Sequence, residues 1–424
     1  MFGRIWGDFL CRHLRAYLRI MNIVYITGYL CKENHPLQNE LITQLAENGA
    51  KVTVITGFPS RKISREKREY YISHSVEKIS ENLTVMRFGS KGGEGGGLFL
   101  RMLKYLRLSY TLYRQAKKIK TDAYLIYSSP PFLGWAGILL SKFAPVVYNA
   151  QDLFPDTIIR IKNLGERNLA IRFFRYMEKR VYNAASAVIT ISADMKNTIV
   201  ENGGNPDKVF SVYNWTDTKT VCPVPRSENR LMDELNIDKS RFIISYAGDI
   251  GYFQGWPMIL QAIKSVENTP IHFVLIGDGS YKKQLLEYVE KNKMKNVSVF
   301  PLQPVSRVSE VYGIGDVEMV SIESGVSRMS LPSKTWAIMS AGSPLLSIVD
   351  QNSEIAEIIR KNNLGYTVAH GSAKELADVF LKAYAERDSL RQMGQNARKF
   401  SEINVDKVLQ TRKYFEIIKS SIKE

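Results

Sequence analysis

The sequence predicts an α/β protein made of two doubly wound, Rossmann-like halves facing each other across a cleft. Three observations carry this. Short β-branched runs such as NIVYIT, AYLIYS, FIISYAG and HFVLIG lack polar alternation, which predicts strands buried on both faces, as in parallel sheets. Amphipathic helical stretches alternate with these runs. The pattern then restarts after 212–240, where VYNWTDTKTVCPVPRSENR has the aperiodic Pro, Asn, Thr and Asp content of a linker.

In the first half, NIVYIT is a strand, 36–48 a helix, and KVTVIT and LTVMRF are strands. GGEGGG, ending at Gly97, reads as a flexible loop. A long helix is expected over 98–119, then the strand AYLIYS, a helix over 131–142, the strand VVYNA, a helix over 167–183 and the strand AVITIS. In the second half FIISYAG, HFVLIG, NVSVF, DVEMVSI and PLLSIV are strands. Helices are expected between them at 257–267, 280–293, 304–313 and 332–341, with mostly helix to the end. The boundaries follow: a leader 1–20, an N-terminal domain 21–215, a C-terminal domain 216–404, and 405–424 as a final helix.

The leader interleaves Arg4, Arg12, Arg15 and Arg19 with Phe2, Ile5, Trp6, Phe9 and Leu10. It has no continuous apolar region or small-residue cleavage site, so it is not a signal peptide. Two readings stay open: a basic amphipathic leader, or sequence upstream of a chain that starts at Met21.

Composition narrows the function classes. With 58 Lys and Arg against 42 Asp and Glu, the net charge is +16, which favours anionic partners. Hydrophobic residues at 45% and charged residues at 24% exclude a disordered chain. Cys11, Cys31 and Cys222 form no CxxC, so a disulfide framework or a cysteine-based zinc site is not expected and a reducing compartment fits. No apolar run is long enough to span a membrane.

Four tracts carry candidate chemistry. YAGDIGYFQGWP ends a strand in Gly248, Asp249, Ile250 and Gly251, with Gln254 before the next helix. Such a turn lets backbone approach a ligand, and the helix start offers N–H groups to phosphate. It matches neither the dinucleotide fingerprint nor the P-loop. VLIGDG closes another strand on Gly277, Asp278 and Gly279. SIESGVSRMSLPSK places Arg328, Ser330, Ser333 and Lys334 around Pro332, a good first-turn residue, so an anion can meet a helix start and two cations. NAQDLFPDT puts Asn149, Asp152 and Asp156 at the end of a strand, where open α/β sheets bind ligands. His35 sits in the first strand-to-helix loop, at the same end. Each tract also has a plain reading, as turn, cap or solvated helix end. HExxH, GxSxG, DFG and zinc-ligand spacings are absent.

Taken together, VTVITGFP, SSPPFLGWAG, QDLFPDT, YAGDIG, IGDG and LPSK with MSAGSP resemble the family-4 retaining glycosyltransferases of GT-B fold, within them the WbuB-like branch that builds bacterial surface polysaccharide. The likeness spans about 21–422. It implies a UDP-sugar bound mainly by the C-terminal domain through Gly248–Gly251, Gln254, Gly277–Gly279, Arg328, Ser330, Ser333 and Lys334. It also implies an acceptor beside His35, Asn149 and Asp152 in the N-terminal domain, and a last helix crossing back to that domain. Asp152 is the candidate catalytic group, polarising the acceptor. Two departures matter. The general family's glutamate pair falls on Met329 and Ala337, so those carboxylate roles cannot be carried over. The lysine many relatives place before the first-loop glycine is Gln254, which leaves Lys334 and Arg328 to meet the phosphate.

The resemblance further implies a polyprenyl-pyrophosphate-linked acceptor, transfer of a sugar such as N-acetylfucosamine, and no cofactor or metal. The expected place is the cytoplasmic, inner face of the cell membrane. Residues 98–120 supply an anionic-membrane surface through Arg101, Lys104, Arg107, Lys117 and Lys118 among Phe, Leu and Tyr. A helix of this kind can also simply pack on its sheet. Nucleic-acid motifs are absent, so no nucleic-acid partner is expected. Two rival classes stay open: a GT-B-shaped UDP-sugar epimerase, and a basic binder of membrane or polyanion without catalysis.

Overall fold

The computed structural model describes residues 20–59, 63–91, 97–156, 159, 167–325, 331–332 and 334–423. The leader, Gly92–Gly96, and the candidate donor residues Arg328, Ser330 and Ser333 therefore lie outside the described residues. The chain divides into two compact units. The first holds residues 1–190, 199–210 and 411–424; the second holds 191–198 and 211–410.

The first unit opens with β1 (Asn22–Tyr29), α1 (Pro36–Glu47), β2 (Lys51–Gly57), α2 (Arg65–Ser73), β3 (Val76–Ser80) and β4 (Leu83–Phe88). Then come α3 (Leu98–Ala116), β5 (Ala123–Tyr127), α4 (Leu133–Leu140), β6 (Val146–Ala150), α5 (Leu169–Ala184) and β7 (Ala187–Thr190). α6 (Ala193–Glu201), whose residues up to 198 belong to the second unit, leads back to β8 (Val209–Ser211). The sheet order is β3-β4-β2-β1-β5-β6-β7-β8, and apart from the β3–β4 hairpin the pairings recorded in register are parallel. Reversal of order at β1 and β5 is the doubly wound arrangement, with ligand loops expected at the strands' C-terminal ends.

Local chemistry sets these helices. Pro36 starts α1, where its missing N–H costs nothing. Ser64 caps α2 by accepting from the Lys67 N–H, and Asn168 caps α5 by accepting from the Ala170 N–H. α3 turns Leu108, Leu112 and Ala116 inward and leaves Leu100, Leu103, Lys104, Arg107, Tyr110 and Arg114 exposed.

The second unit begins with α7 (Arg230–Glu234), β9 (Phe242–Asp249), α8 (Trp256–Ser265), β10 (Ile271–Asp278), α9 (Lys282–Lys291) and β11 (Val297–Phe300). α10 (Val308–Tyr312), β12 (Val317–Ser321), α11 (Lys334–Ser340), β13 (Leu345–Ile348), α12 (Glu354–Lys361) and β14 (Gly365–Val368) follow. α13 (Ala373–Ala385), α14 (Arg387–Asn404) and α15 (Lys407–Lys423) finish the chain, the last passing into the first unit at Thr411. Its parallel sheet has the order β11-β10-β9-β12-β13-β14. Trp256, Phe273 and Phe380 are fully buried in its core, each burial removing enough apolar surface to contribute about 1.5–3 kcal/mol.

Several elements differ from the sequence reading. β14 interrupts the stretch expected to be mostly helix; at four residues beginning with glycine it gives too short a period to register. β3 (VEKIS) is a mostly exposed edge strand, so it lacks the apolar run that marks the others. The expected helix 304–313 is a 3-10 turn followed by α10, α3 stops at Ala116, and the linker contains α7.

Candidate functional site

In the second unit, β9 and β10 run in register so that Gly248 lies opposite Gly277 and Asp249 opposite Asp278. The two glycine turns are thus one structure. The Ile250 N–H donates to the Asp278 carbonyl at 2.8 Å. A Cβ on Gly277 would sit 2.1 Å from the Gly248 oxygen, and one on Gly279, at φ +157°, would sit 2.5–2.7 Å from the Ile250 backbone. Only glycine lets the turns touch.

Lys334, the first residue of α11, reaches this edge. Its Nζ donates to the Ala247 carbonyl at 3.3 Å and lies 3.6 Å from the centre of the Tyr246 ring. A Cβ on Gly248 would be 3.7 Å from that Nζ. Packed protein around the amine disfavours its charged form and pushes it down to about 7, while the carboxyls of Glu318 and Asp249 pull the other way. Glu318, in β12, is buried and pushed up to about 8 by that burial, against the Ser245 hydroxyl and Lys334, which favour the carboxylate. Lys334 therefore sets an amine beside two glycine turns at the C-terminal ends of parallel strands, where an arriving diphosphate would favour its ammonium form.

Other predicted donor residues have different jobs. Gln254 turns its carboxamide oxygen to the Gly251 N–H at 3.0 Å, closing its own 3-10 turn, and its backbone carbonyl accepts from Ser321 Oγ at 2.6 Å. It is a brace for the loop, not a side chain aimed outward. Asp278 accepts from the Gly279 N–H at 2.9 Å and caps its turn, with Lys282 donating to the Gly277 carbonyl at 2.8 Å. Asp249 stays exposed at the strand end, and Ile250 is core.

In the first unit the candidate residues gather around the ends of β1, β5 and β6. Asn149 is buried, and its Oδ1 accepts from Gln151 Nε2 at 2.9 Å and from the Tyr414 hydroxyl at 3.1 Å. It supports the loop from beneath, which corrects the expectation that it contacts an acceptor. His35 caps α1 without a side-chain bond to that helix; its Nδ1 instead accepts from the Cys31 N–H at 3.3 Å, and burial lowers its pKa. Asp152 follows Gln151, whose N–H donates to Ser128 Oγ at 3.1 Å. Asp152 keeps an exposed edge, but the protein around it desolvates its carboxyl and raises its pKa.

Asp152 borders a small aromatic-lined cavity of about 20 Å³, shared with Trp135, Tyr148, Phe154, Phe174 and Glu178. Glu178, which the sequence reading missed, is buried and pushed up to about 7. The Tyr182 hydroxyl donates to it at 2.7 Å and Arg175 at 3.1 Å, while Arg175 also grips Asp156 with two nitrogens at 2.6 and 2.7 Å. Asp156 is thus spent on a fork-shaped ion pair. Glu178 gave no signal because it lies on a helical face among arginines, where a carboxylate reads as solvated. Glu318 did give one: it is the single charge inside an otherwise apolar strand, VEMVS.

On α3, Lys104 and Arg107 are exposed as expected. Arg101 is not; it is half-buried and its Nε is enclosed without a partner. Lys117 lies over the rings of Tyr113 and Phe143, and Lys118 donates to Gln115 Oε1 at 3.1 Å. No described helix is long and apolar enough to cross a membrane.

Residues 39–220 match the model of Glycosyltransferase Family 4, and residues 227–400 match that of Glycosyl transferases group 1. The chain is 25% identical over 306 residues to the probable glycosyltransferase WbjE of Pseudomonas aeruginosa, covering 72% of this chain and 74% of that protein. It is 24% identical over 225 residues to the putative colanic acid biosynthesis glycosyl transferase WcaI of Escherichia coli, covering 52% of this chain and 55% of the relative. Among solved structures, Anabaena Alr3699/HepE in complex with UDP superposes with a TM-score of 0.69 at 15% identity, over 94% of this chain and 100% of that one.

Proposed function

This chain is a glycosyltransferase of GT-B fold, and we propose that it moves a sugar from a UDP-sugar to a polyprenyl-pyrophosphate-linked glycan, with retention, in bacterial surface-polysaccharide assembly. The observation that carries the reading is Lys334, set against Tyr246 beside the paired Gly248 and Gly277 turns. The relative named for colanic acid biosynthesis and the UDP complex of HepE support the polysaccharide and UDP parts. The WbuB-like branch is the sub-family we favour, and N-acetylfucosamine the sugar it suggests.

In this reading, the bond from the anomeric carbon to the β-phosphate oxygen breaks and the acceptor oxygen bonds to that carbon on the same face. Negative charge grows on the departing UDP. Lys334 stabilises it without having to reorganise. The acceptor's proton leaves with the β-phosphate oxygen. Asp152 orients the acceptor hydroxyl, and its raised pKa suits a weak, partly shielded hydrogen-bonding partner. No resident cofactor or metal is invoked.

The acceptor's lipid would be met on the first unit. The exposed face of α3 carries Leu100, Leu103 and Tyr110 between Lys104, Arg107 and Arg114, a combination that suits peripheral binding to an anionic bilayer. The test of the donor is direct. The protein is incubated with a panel of UDP-, GDP- and ADP-sugars plus a lipid-pyrophosphate glycan, and nucleotide release is read. Release from one UDP-sugar supports the proposal; release only from GDP- or ADP-sugars contradicts the donor class.

A further inference from the structure

α5 has two apolar faces, where a helix laid on a sheet needs one. Its inward face buries Ile171, Val181 and Tyr182 around Glu178. Leu169, Phe173 and Tyr176 follow one another at spacings of four and three, which aligns them on one stripe. That stripe faces away from the core: the three side chains are 79%, 52% and 56% exposed. A single exposed apolar residue is ordinary, but three large ones in a row on the outer face mark a surface that meets something apolar.

The stripe starts beside the candidate acceptor site. β6 and β7 are parallel, so α5 begins at the C-terminal end of β6, the end from which the chain runs on to Asp152. α4 begins at the same end of β5, with Trp135 in its first turn. The Trp135 ring stands edge-on to Phe173, with centres 6.0 Å apart, and lies 6.4 Å from Phe174. Phe174 in turn meets Phe154 at 5.0 Å. Trp135, Phe154 and Phe174 are also walls of the cavity that Asp152 borders. An unbroken run of rings therefore joins the exposed stripe to the group that faces the acceptor. The charges beside it are cationic: Arg172, Lys179 and Arg180 are exposed, while Glu178, the one acid of α5, is turned inward.

We propose that the stripe Leu169, Phe173 and Tyr176 seats the first isoprene units of the acceptor's prenyl chain. The sugar end then lies over the rings that lead to Asp152. This rests on the reading that the acceptor is a polyprenyl-pyrophosphate-linked glycan. The stripe spans about 10 Å of helix, the scale of a single extended chain. A stable pair of protein copies buries about 800 Å² on each partner, more than three side chains supply. The flanking cations suit a chain that carries pyrophosphate.

The test is transfer kinetics with the glycan carried on methyl, geranyl and farnesyl pyrophosphate, in solution without vesicles or detergent. The proteins are wild type, Leu169→Gln, Phe173→Gln and a control, Leu381→Gln, at an exposed site on α13. Glutamine is a good helix former at each place, and unchanged melting temperatures show that the variants fold. Wild type should have an acceptor KM about tenfold lower with the geranyl or farnesyl chain than with methyl, because apolar surface is buried, at similar kcat. Leu169→Gln and Phe173→Gln should lose most of that advantage, and Leu381→Gln should keep it. A wild type indifferent to chain length, stripe variants that keep the wild-type preference, or a loss equal for the methyl and farnesyl acceptors overturns the proposal. A defect seen only with vesicles, the soluble acceptors being used as before, makes the stripe a membrane face and also overturns it. If wild type uses none of the three but does transfer to a glycan without a lipid pyrophosphate, the polyprenyl reading itself fails.

Discussion

The Lys334 ammonium lies 3.6 Å from the centre of the Tyr246 ring. Cation and ring face hold each other, and the Nζ bond to the Ala247 carbonyl fixes the lysine at the edge of β9. Lys334→Ala should therefore cost about 1.5–3 kcal/mol of UDP affinity, the worth of a charge-assisted hydrogen bond. Calorimetry and a melting curve on the same sample check this. The melting temperature should move little, because removing a desolvated charge offsets the packing lost.

Gly279→Ala should damage the donor turn and stability together. The new Cβ would lie 2.5–2.7 Å from the Ile250 backbone at φ +157°. Neither backbone can give way cheaply, so a cost of about 2 kcal/mol or more is expected. Denaturant unfolding measures the stability loss, and UDP titration should show weaker binding in the fraction that folds. Unchanged stability would mean that the β9 and β10 turns are less tightly joined.

Glu178 makes stability depend on pH. Its folded pKa of about 7 is above the unfolded value, so the native state holds its proton longer than the unfolded chain does. Stability is then fully present below about pH 4.5 and falls as pH rises toward about 7, by up to about 3 kcal/mol. Glu178→Gln should lack that decline. Chemical unfolding of both proteins at several pH values in this window tests the sign; stability of the wild type that rises with pH relative to the variant contradicts it.

The first unit should bring the protein to anionic vesicles. Neutralising Lys104, Arg107, Lys117 and Lys118 together should release a chain starting at Met21 from such vesicles in sedimentation, because basic residues near an anionic surface contribute about 1 kcal/mol each. Arg101 need not be included, since it is half-buried. UDP binding should survive. Salt should weaken the association as the Debye length falls from about 10 Å at 0.1 M to about 3 Å at 1 M. A variant that sediments as well as its parent moves the membrane face elsewhere.

Activity should persist in EDTA, with Lys334 meeting the leaving diphosphate. Turnover that stops in EDTA and returns with Mg²⁺ or Mn²⁺ contradicts this.

Much of this was legible in the sequence, for a physical reason. A strand buried on both faces must be apolar throughout, so FIISYAG and HFVLIG announced themselves, and the glycines that end them had to permit the close approach of β9 and β10. Side-chain partnerships were not legible. Gln254 and Asp278 sit in the two glycine turns read from the sequence, but spend their polar groups on backbone N–H groups. Asn149 lies at the C-terminal end of β6 but points into the core toward Tyr414, a residue 265 positions away. The same distance problem hid Ser245 and Glu318, which become neighbours only through the register of β9 and β12. β3 was missed because an exposed edge strand carries no apolar run.

The most direct test of the central claim is acceptor-dependent UDP formation by the purified full chain, with Lys334→Ala as control. The protein is mixed with its UDP-sugar and a polyprenyl-pyrophosphate glycan, and both UDP and the extended lipid product are followed. The account predicts UDP and product in equal amounts, little of either without acceptor, a product with the donor's anomeric configuration, and loss of both in Lys334→Ala. A sugar nucleotide interconverted without acceptor, or full transfer by Lys334→Ala, would contradict it.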